Sequence, residues 1–362
     1  MTINHTPEAF PPGEFLRDEL EEREWTVTEF AEILGRPVQA ISEILNNKKE
    51  ITTETAVAIG DALGTSAELW LNLQTAYRLN EQRRQRGGVV VSPVARRARL
   101  RDVAPIAKMK ARGWLPQTDD LDELESAVCA LLDVRSLDEP PLFAVAARRA
   151  NTEEPISLEQ TAWLARVRVL GRDAEVAAAF DADAFAALAA SVPRLLANGP
   201  DDLKELPARF AACGVALVFV EGLPSGKIDG AVVFVGDRPV IGLSARGDRF
   251  DSLVFTLLHE CAHLVLRHIT PSTPVIVDDN LDEAQQSPIE IQANEQAARW
   301  MFPDGFDVVA LRVPAVISAA SRHGVHVSLV IGRLQRDLND WKKLRSEIPR
   351  VRTHLTDAGL LS

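Results

Sequence analysis

The chain has 362 residues, 46% of them hydrophobic and 25% charged, which is ordinary globular usage and excludes a disordered chain. That length allows two or three domains with sizeable cores, and the net charge of −12 excludes a protein coated in nucleic acid, though not a local basic patch. Three cysteines without paired spacing (Cys129, Cys213, Cys261) exclude a disulfide scaffold and fit a reducing, cytoplasmic setting.

The opening MTINHTPEAFPPGEF has neither the basic nor the apolar part of a signal peptide. No later apolar run approaches the ~18 residues of a membrane span, so no membrane partner is expected. Residues 13–82 then divide into short helical segments. Thr26-Val27-Thr28-Glu29 reads as a capping box opening a helix through Phe30, Ile33 and Leu34. Gly35 ends it, and Pro37 suits the first turn of the next helix, Val38 to Leu45, with Val38, Ile41, Ile44 and Leu45 as its buried positions. Two helices joined by a tight glycine turn make a helix-turn-helix. A further helix runs from Thr53 to Leu63, ended by Gly64, and Thr65-Ser66-Ala67-Glu68 reads as a second capping box.

The stretch GEFLRDELEEREWTVTEFAEILGRPVQAISEILNNKKEITTETAVAIGDALGTSAELWLNLQTAYRL resembles the HigA-type antitoxin branch of the Xre helix-turn-helix repressors. The resemblance implies that the Val38–Leu45 helix enters the major groove, with Gln39 and Ser42 toward base edges and Asn46, Asn47 and Lys48 near phosphates. It also implies a homodimer reading paired half-sites. Two positions depart from the pattern: Val27 stands where such repressors often have Gln, and Val38 where they have a polar or basic residue. Residues 1–86 are also acidic, with nine Lys or Arg against fifteen Asp or Glu. A module serving only dimerisation or partner docking is the alternative.

Between Glu81 and Asp102 there are seven arginines and no acid, with Gly87, Gly88, Ser92 and Pro93 in the middle. Residues 87–101 therefore read as a linker, either a solvated connector or a phosphate-touching arm. Residues 102–210, rich in Ala and Leu, read as a helical region without catalytic spacing, in which Trp114 and Trp163 are core or interface residues.

Residues 211–362 carry the chemistry. Runs at 214–221, 230–236 and 239–245 read as three strands of a small sheet. An apolar helix follows with His259-Glu260-Cys261-Ala262-His263 inside it. Positions four apart share a helix face, about 5–6 Å between Cβ atoms, so His259 and His263 can bind one cation. Glu260 sits beside that cation, placed to take a proton from a water on it. Two histidines satisfied by other protein groups are the alternative, but an apolar helix makes unpaired polar groups costly. Cys261 faces away, as a small buried apolar residue.

A catalytic zinc needs a third protein ligand. Asp278, Asp279, Asp282, Glu283, Glu290 and Glu295 are the acids on offer. Ser287 and Pro288 open a helix, so Glu290 is either the acidic member of a capping box or a side chain aimed at a neighbouring helix. Spacing leaves both open.

FDSLVFTLLHECAHLVLRH followed by PIEIQANEQAARWMFP resembles the ImmA/IrrE metallo-endopeptidases, as does the later VSLVIGRLQRDL. The resemblance implies a zincin-like domain in an α+β, mostly helical chain, with His259, His263 and Glu290 as ligands of zinc and Glu260 as general base. Manganese suits the same ligands. Gln296, where the family usually has Phe, departs from the pattern. His268, five residues beyond His263, reads as a surface or supporting residue, and His323 and His326 as structural. The single tyrosine, Tyr77, lies in the amino-terminal module, so an Arg, His or backbone amide must stabilise any oxyanion.

The expectation is a cytoplasmic metal-dependent endopeptidase fused to a DNA-binding module. Its substrate would lie extended along strand 239–245. The resemblance implies that this substrate is a regulatory protein, commonly a repressor, with cleavage of the chain itself near the arginine-rich linker as a secondary route. The alternative is a non-enzymatic, antitoxin-like regulator using the peptidase fold as a sensor or dimerisation body.

Overall fold

A computed structural model describes residues 10–85, 91–141, 156–271, 287–307 and 310–362. Gly87 and Gly88 of the expected linker lie outside the described residues, as do Asp278, Asp279, Asp282 and Glu283. The chain divides into two compact units, residues 1–92 and 93–362.

Among the described residues, the first unit contains five helices: α1 (Pro12–Glu22), α2 (Val27–Ile33), α3 (Val38–Leu45), α4 (Thr53–Leu63) and α5 (Ala67–Gln85). Leu16, Phe30, Ile41, Ile59 and Trp70 form its centre, each 0–1% exposed. The capping box at α2 is present. Thr26 Oγ1 accepts from the Glu29 amide at 3.2 Å, and the Thr26 amide donates to Glu29 Oε2 at 2.7 Å. These hydrogen bonds hold the Glu29 carboxyl below its usual range. At α5 the cap shifts by one residue from the sequence reading. Ser66 Oγ accepts from the Leu69 amide, while Thr65 Oγ1 accepts from Trp70 Nε1 at 2.8 Å. Gly35 turns at φ +60°, as the reversal between α2 and α3 requires. Val38 is not buried as its spacing suggested. It is 44% exposed, at the first turn of α3.

In the second unit, helices α6 (Pro93–Val103), α7 (Ile106–Ala111), α8 (Leu121–Leu132), α9 (Leu158–Asp173), α10 (Ala182–Leu195) and α11 (Leu206–Ala212) precede a three-stranded sheet. Its strands are β1 (Ala216–Phe219), β2 (Gly230–Val235) and β3 (Arg238–Leu243), in the order β1-β3-β2. β1 runs parallel to β3, and β2 antiparallel to it. After the sheet come α12 (Phe250–Val265), α13 (Pro288–Met301), α14 (Val313–His323), α15 (Val327–Asp337) and α16 (Arg352–Asp357).

Strand alternation sends side chains to two different cores. Leu217, Phe219, Val232, Ile241 and Leu243 face a core shared by α10, α11, α12 and the helices after it. Ala216, Val220, Ala231, Val233 and Val240 face α6 to α9. Helices α6 to α9 are therefore one cover of the sheet, while α10 and α11 pack into the core on its other face, and all of them share a compact unit with 211–362, where composition suggested a separate helical region. Trp163 belongs to this cover, buried with its Nε1 donating to the Val220 carbonyl at 3.0 Å. The part of the expected linker from Pro93 onward is α6, because its arginines find acids: Arg96 pairs with Glu125 at 2.8 Å, and Arg99 pairs with Asp138. These contacts leave that part neither a solvated connector nor a loose arm.

β3 is the central strand, hydrogen-bonded on both sides, so it cannot accept a further strand as the sequence reading placed it to do. β1 is bordered by the chain's last residues, through a Phe219–Leu361 bridge and the Ser362 amide donating to the Phe219 carbonyl. Among the described residues, the outer edge of β2 has no partner strand. No helix of the described residues is long and apolar enough to cross a membrane.

Candidate functional site

The carboxyl-terminal half of α12 carries His259, Glu260 and His263, all nearly inaccessible to solvent. The Nε2 atoms of His259 and His263 lie 2.9 Å apart. Glu290, in the first turn of α13, brings Oε2 to 3.0 Å from His259 Nε2 and 3.5 Å from His263 Nε2. The capping-box alternative for Glu290 is closed, since Ser287 stands at the N-cap without a side-chain hydrogen bond. The carboxylate is committed to the imidazoles instead.

The next layer fixes which nitrogen of each ring carries the proton. His259 Nδ1 is 3.0 Å from Asn294 Oδ1, one turn beyond Glu290 on α13. His268 Nε2 is 3.0 Å from Gln292 Oε1, and His268 Nδ1 is 3.1 Å from His263 Nδ1. With both amide oxygens accepting, His268 donates through Nε2 and therefore accepts through Nδ1. His259 and His263 then keep their protons on Nδ1, so both Nε2 atoms present lone pairs to the centre. Burial, outweighing the Glu290 contact, keeps the His263 imidazole below its usual range and hence neutral. Among the described residues, neither Glu290 oxygen has a hydrogen-bond donor. Three buried acceptors facing one point could hold a divalent cation, and these atoms lie within 4.8 Å of one another.

His268 thus has the supporting place its position suggested, and spacing gave no sign of its partner Gln292. His268→Ala is expected to weaken zinc binding by about 10–100-fold, as second-layer losses do. His268→Gln, which can still accept from His263 Nδ1, should recover part of it. Competition titration against a zinc chelator measures both, and equal affinity in wild type and His268→Ala would remove the relay.

Glu260 lies beside the three converging side chains rather than among them. A Cβ added at Gly230, the first residue of β2, would stand 2.8 Å from Glu260 Oε1 and 2.7 Å from Thr256 Cγ2. Only glycine lets the edge strand approach this carboxylate so closely. Cys261 is fully buried, and desolvation together with the Glu260 charge raises its thiol well above the usual range, so it is inert. His326 is structural, capping α15 by accepting from the Ser328 amide at 3.2 Å. His323 packs against Phe302, with ring centroids 5.1 Å apart.

The helix-turn-helix face distributes the expected DNA-contacting residues unevenly. Gln39 is exposed on α3, its amide donating to Glu43 at 3.1 Å. Ser42 is half-buried, and its carbonyl accepts from the Asn46 amide at 2.8 Å. Lys48 is exposed. Asn47 already has a structural task, since its Oδ1 accepts from the Gly13 amide at 3.2 Å and so fastens the start of α1 to the end of α3. Asn47→Ala should therefore cost about 1 kcal/mol of stability in this unit. Denaturant unfolding measures it, and an unchanged midpoint would return Asn47 to DNA contact alone.

A helix-turn-helix family profile matches residues 16–70. Over 70 residues the chain is 33% identical to YddM of Escherichia coli strain K12, described as an uncharacterized HTH-type transcriptional regulator; the match covers 19% of this chain and 74% of that protein. It is 40% identical over 68 residues to an HTH-type regulator of Haemophilus influenzae, covering 18% of this chain and 64% of the relative. Among solved structures it is similar to the Pseudomonas aeruginosa antitoxin HigA with the higBA promoter, at 31% identity, 22% of this chain, 88% of that chain and a TM-score of 0.22. Fold and sequence together define a helix-turn-helix module of the regulator type. Through that module, the chain belongs to the helix-turn-helix transcriptional regulator family.

Proposed function

We propose that the chain is a metal-dependent endopeptidase of the ImmA/IrrE type, joined to a module that binds operator DNA, and that its substrate is a regulatory protein. One observation carries the enzymatic part: two buried imidazole Nε2 atoms and a buried carboxylate without a donor among the described residues converge, with a second carboxylate beside them. His259, His263 and Glu290 would hold zinc, or manganese, which when bound supplies Lewis acidity toward a peptide carbonyl and toward water. Glu260 accepts the proton of the attacking water and returns it to the leaving amine. The outer edge of β2, starting at Gly230 against Glu260, would receive the extended substrate in place of β3.

The DNA part draws on the relatives, one of which was solved with promoter DNA. α3, exposing Gln39 at its first turn, would enter the major groove, and a homodimer would span two half-sites.

The test is metal analysis of the purified chain, followed by co-expression with candidate repressors and mass spectrometry of fragments. One equivalent of bound divalent ion and chelator-sensitive cleavage are expected. A metal-free chain would overturn the enzymatic reading. The non-enzymatic regulator, favoured by the relatives' descriptions, predicts bound metal, no fragments and intact promoter binding.

A further inference from the structure

Helix α6 is fastened to its own unit by one side. Arg96 grips Glu125 of α8 at two points, Nε to Oε1 at 2.8 Å and Nη2 to Oε2 at 2.9 Å. Arg99 pairs with Asp138, and Leu100 beside them is buried. Each residue advances about 100° round a helix, so these three positions share a face.

The other two arginines of α6 are committed differently. Arg97 and Arg101 lie about 100° and 140° round from Arg96. Both are exposed, and neither has a carboxylate partner among the described residues. Arg101 Nη1 donates to the Arg97 carbonyl at 3.2 Å, which draws its side chain back along the helix toward Arg97. Asp102, the one acid of α6, stands about 100° further round than Arg101. The chain as a whole carries a charge of −12, but beyond about 10 Å such charge is screened at ordinary salt. The sign felt at this face is therefore set by the two arginines.

Like charges one turn apart on a helix repel, and an anion that spans both removes the repulsion. The two side chains start roughly 6 Å apart along the axis, and each guanidinium can grip a phosphate with two N–H groups. A row of phosphates fits that pair. α6 begins eight residues after α5 ends, in a chain whose residues 16–70 match a helix-turn-helix profile. Duplex held by that module reaches α6 by an intramolecular step. Because Arg96, Arg99 and Leu100 already fix the helix, little ordering is left to oppose binding.

We propose that Arg97 and Arg101 form a second DNA contact, a sequence-independent grip on the phosphate backbone of the duplex read by the helix-turn-helix module. This rests on the operator-binding reading for the source of the duplex, while the grip itself is measured separately from sequence preference.

The experiment uses the full-length chain and two fluorescein-labelled duplexes of equal length, one from the region upstream of its own gene and one with that sequence scrambled. Anisotropy titrations in a series of potassium chloride concentrations give the slope of log K against log salt, about 0.9 for each phosphate neutralised. Arg97→Gln/Arg101→Gln is expected to reduce that slope by about 1.8 and to weaken both duplexes alike, by about 10–60-fold at ~0.1 M salt, the upper figure being the counterion release of two phosphates. Arg97→Lys/Arg101→Lys keeps both charges and should keep the slope. Gln39→Ala, in α3, should reduce the preference for the upstream duplex and leave the slope in place. Gln is a good helix former and neither arginine meets an acid, so the Gln pair should melt with wild type.

A slope that survives the Gln pair, in a chain that still prefers the upstream duplex, would overturn this assignment alone. Equal wild-type affinity for the two duplexes, with a slope that falls in the Gln pair, would support the grip and remove the operator reading. No binding to either duplex would overturn both. Loss of binding to phosphatidylserine vesicles in the Gln pair, with its DNA slope kept, would give the face to a membrane surface and overturn the assignment.

Discussion

Glu260→Gln is expected to leave the bound metal untouched while lowering cleavage by about 10²–10⁴-fold, the usual contribution of a positioned general base. The two outcomes separate because Glu260 is not among the converging ligand atoms. Its Oε1 instead lies against the Gly230 backbone at the start of β2. Gln has the same shape, so the close approach survives and only the proton acceptor is lost. Gly230→Ala is the complement. The added methyl falls 2.8 Å from Glu260 Oε1 and must push the carboxylate aside, so cleavage should fall with zinc stoichiometry kept. Cleavage by Glu260→Gln at the wild-type rate would take the base role away from this residue.

The second large effect belongs to Glu290. Its oxygens are buried, have no donor and face two lone pairs, an arrangement that costs stability unless a cation is present. Glu290→Gln replaces that repulsion with an amide able to donate to an imidazole. Relieving one unsatisfied buried acceptor is worth about 1–3 kcal/mol, so the metal-free variant should melt a few degrees above metal-free wild type. The response to zinc should be opposite. At a hundredfold excess over its dissociation constant, zinc adds about 2.7 kcal/mol to a protein that binds it. Wild type is therefore expected to gain melting temperature with zinc, and Glu290→Gln to gain almost none. Calorimetric melting of both chains with zinc or with chelator reads all four values. A zinc-induced rise of the same size in the variant would exclude Glu290 as a ligand.

The elements legible in the sequence are those set by local physics. The capping box at Thr26 and the glycine turn at Gly35 involve groups within a few residues of each other, and their hydrogen bonds form as the spacing says. His259 and His263 fall on one face of α12 because a helix turn, and nothing remote, puts them there. Three strands could likewise be placed within a residue or two.

Tertiary structure decided whatever depended on pairing between distant segments. Spacing left Glu290 divided between capping its own helix and reaching another, and the packing of α13 against α12 chose the second. Strand order made β3 central and left the edge to β2, because a run of apolar residues encodes burial but not its neighbours. The helices of 102–210 read as a region apart since amphipathic periodicity shows that a face is buried without showing against what. The structural partners of Asn47, Asn294 and Gln292 had no signal in the sequence. A polar side chain takes its role from the single atom it meets, and that atom is 34 to 35 residues away for Asn47 and Asn294 and 24 for Gln292.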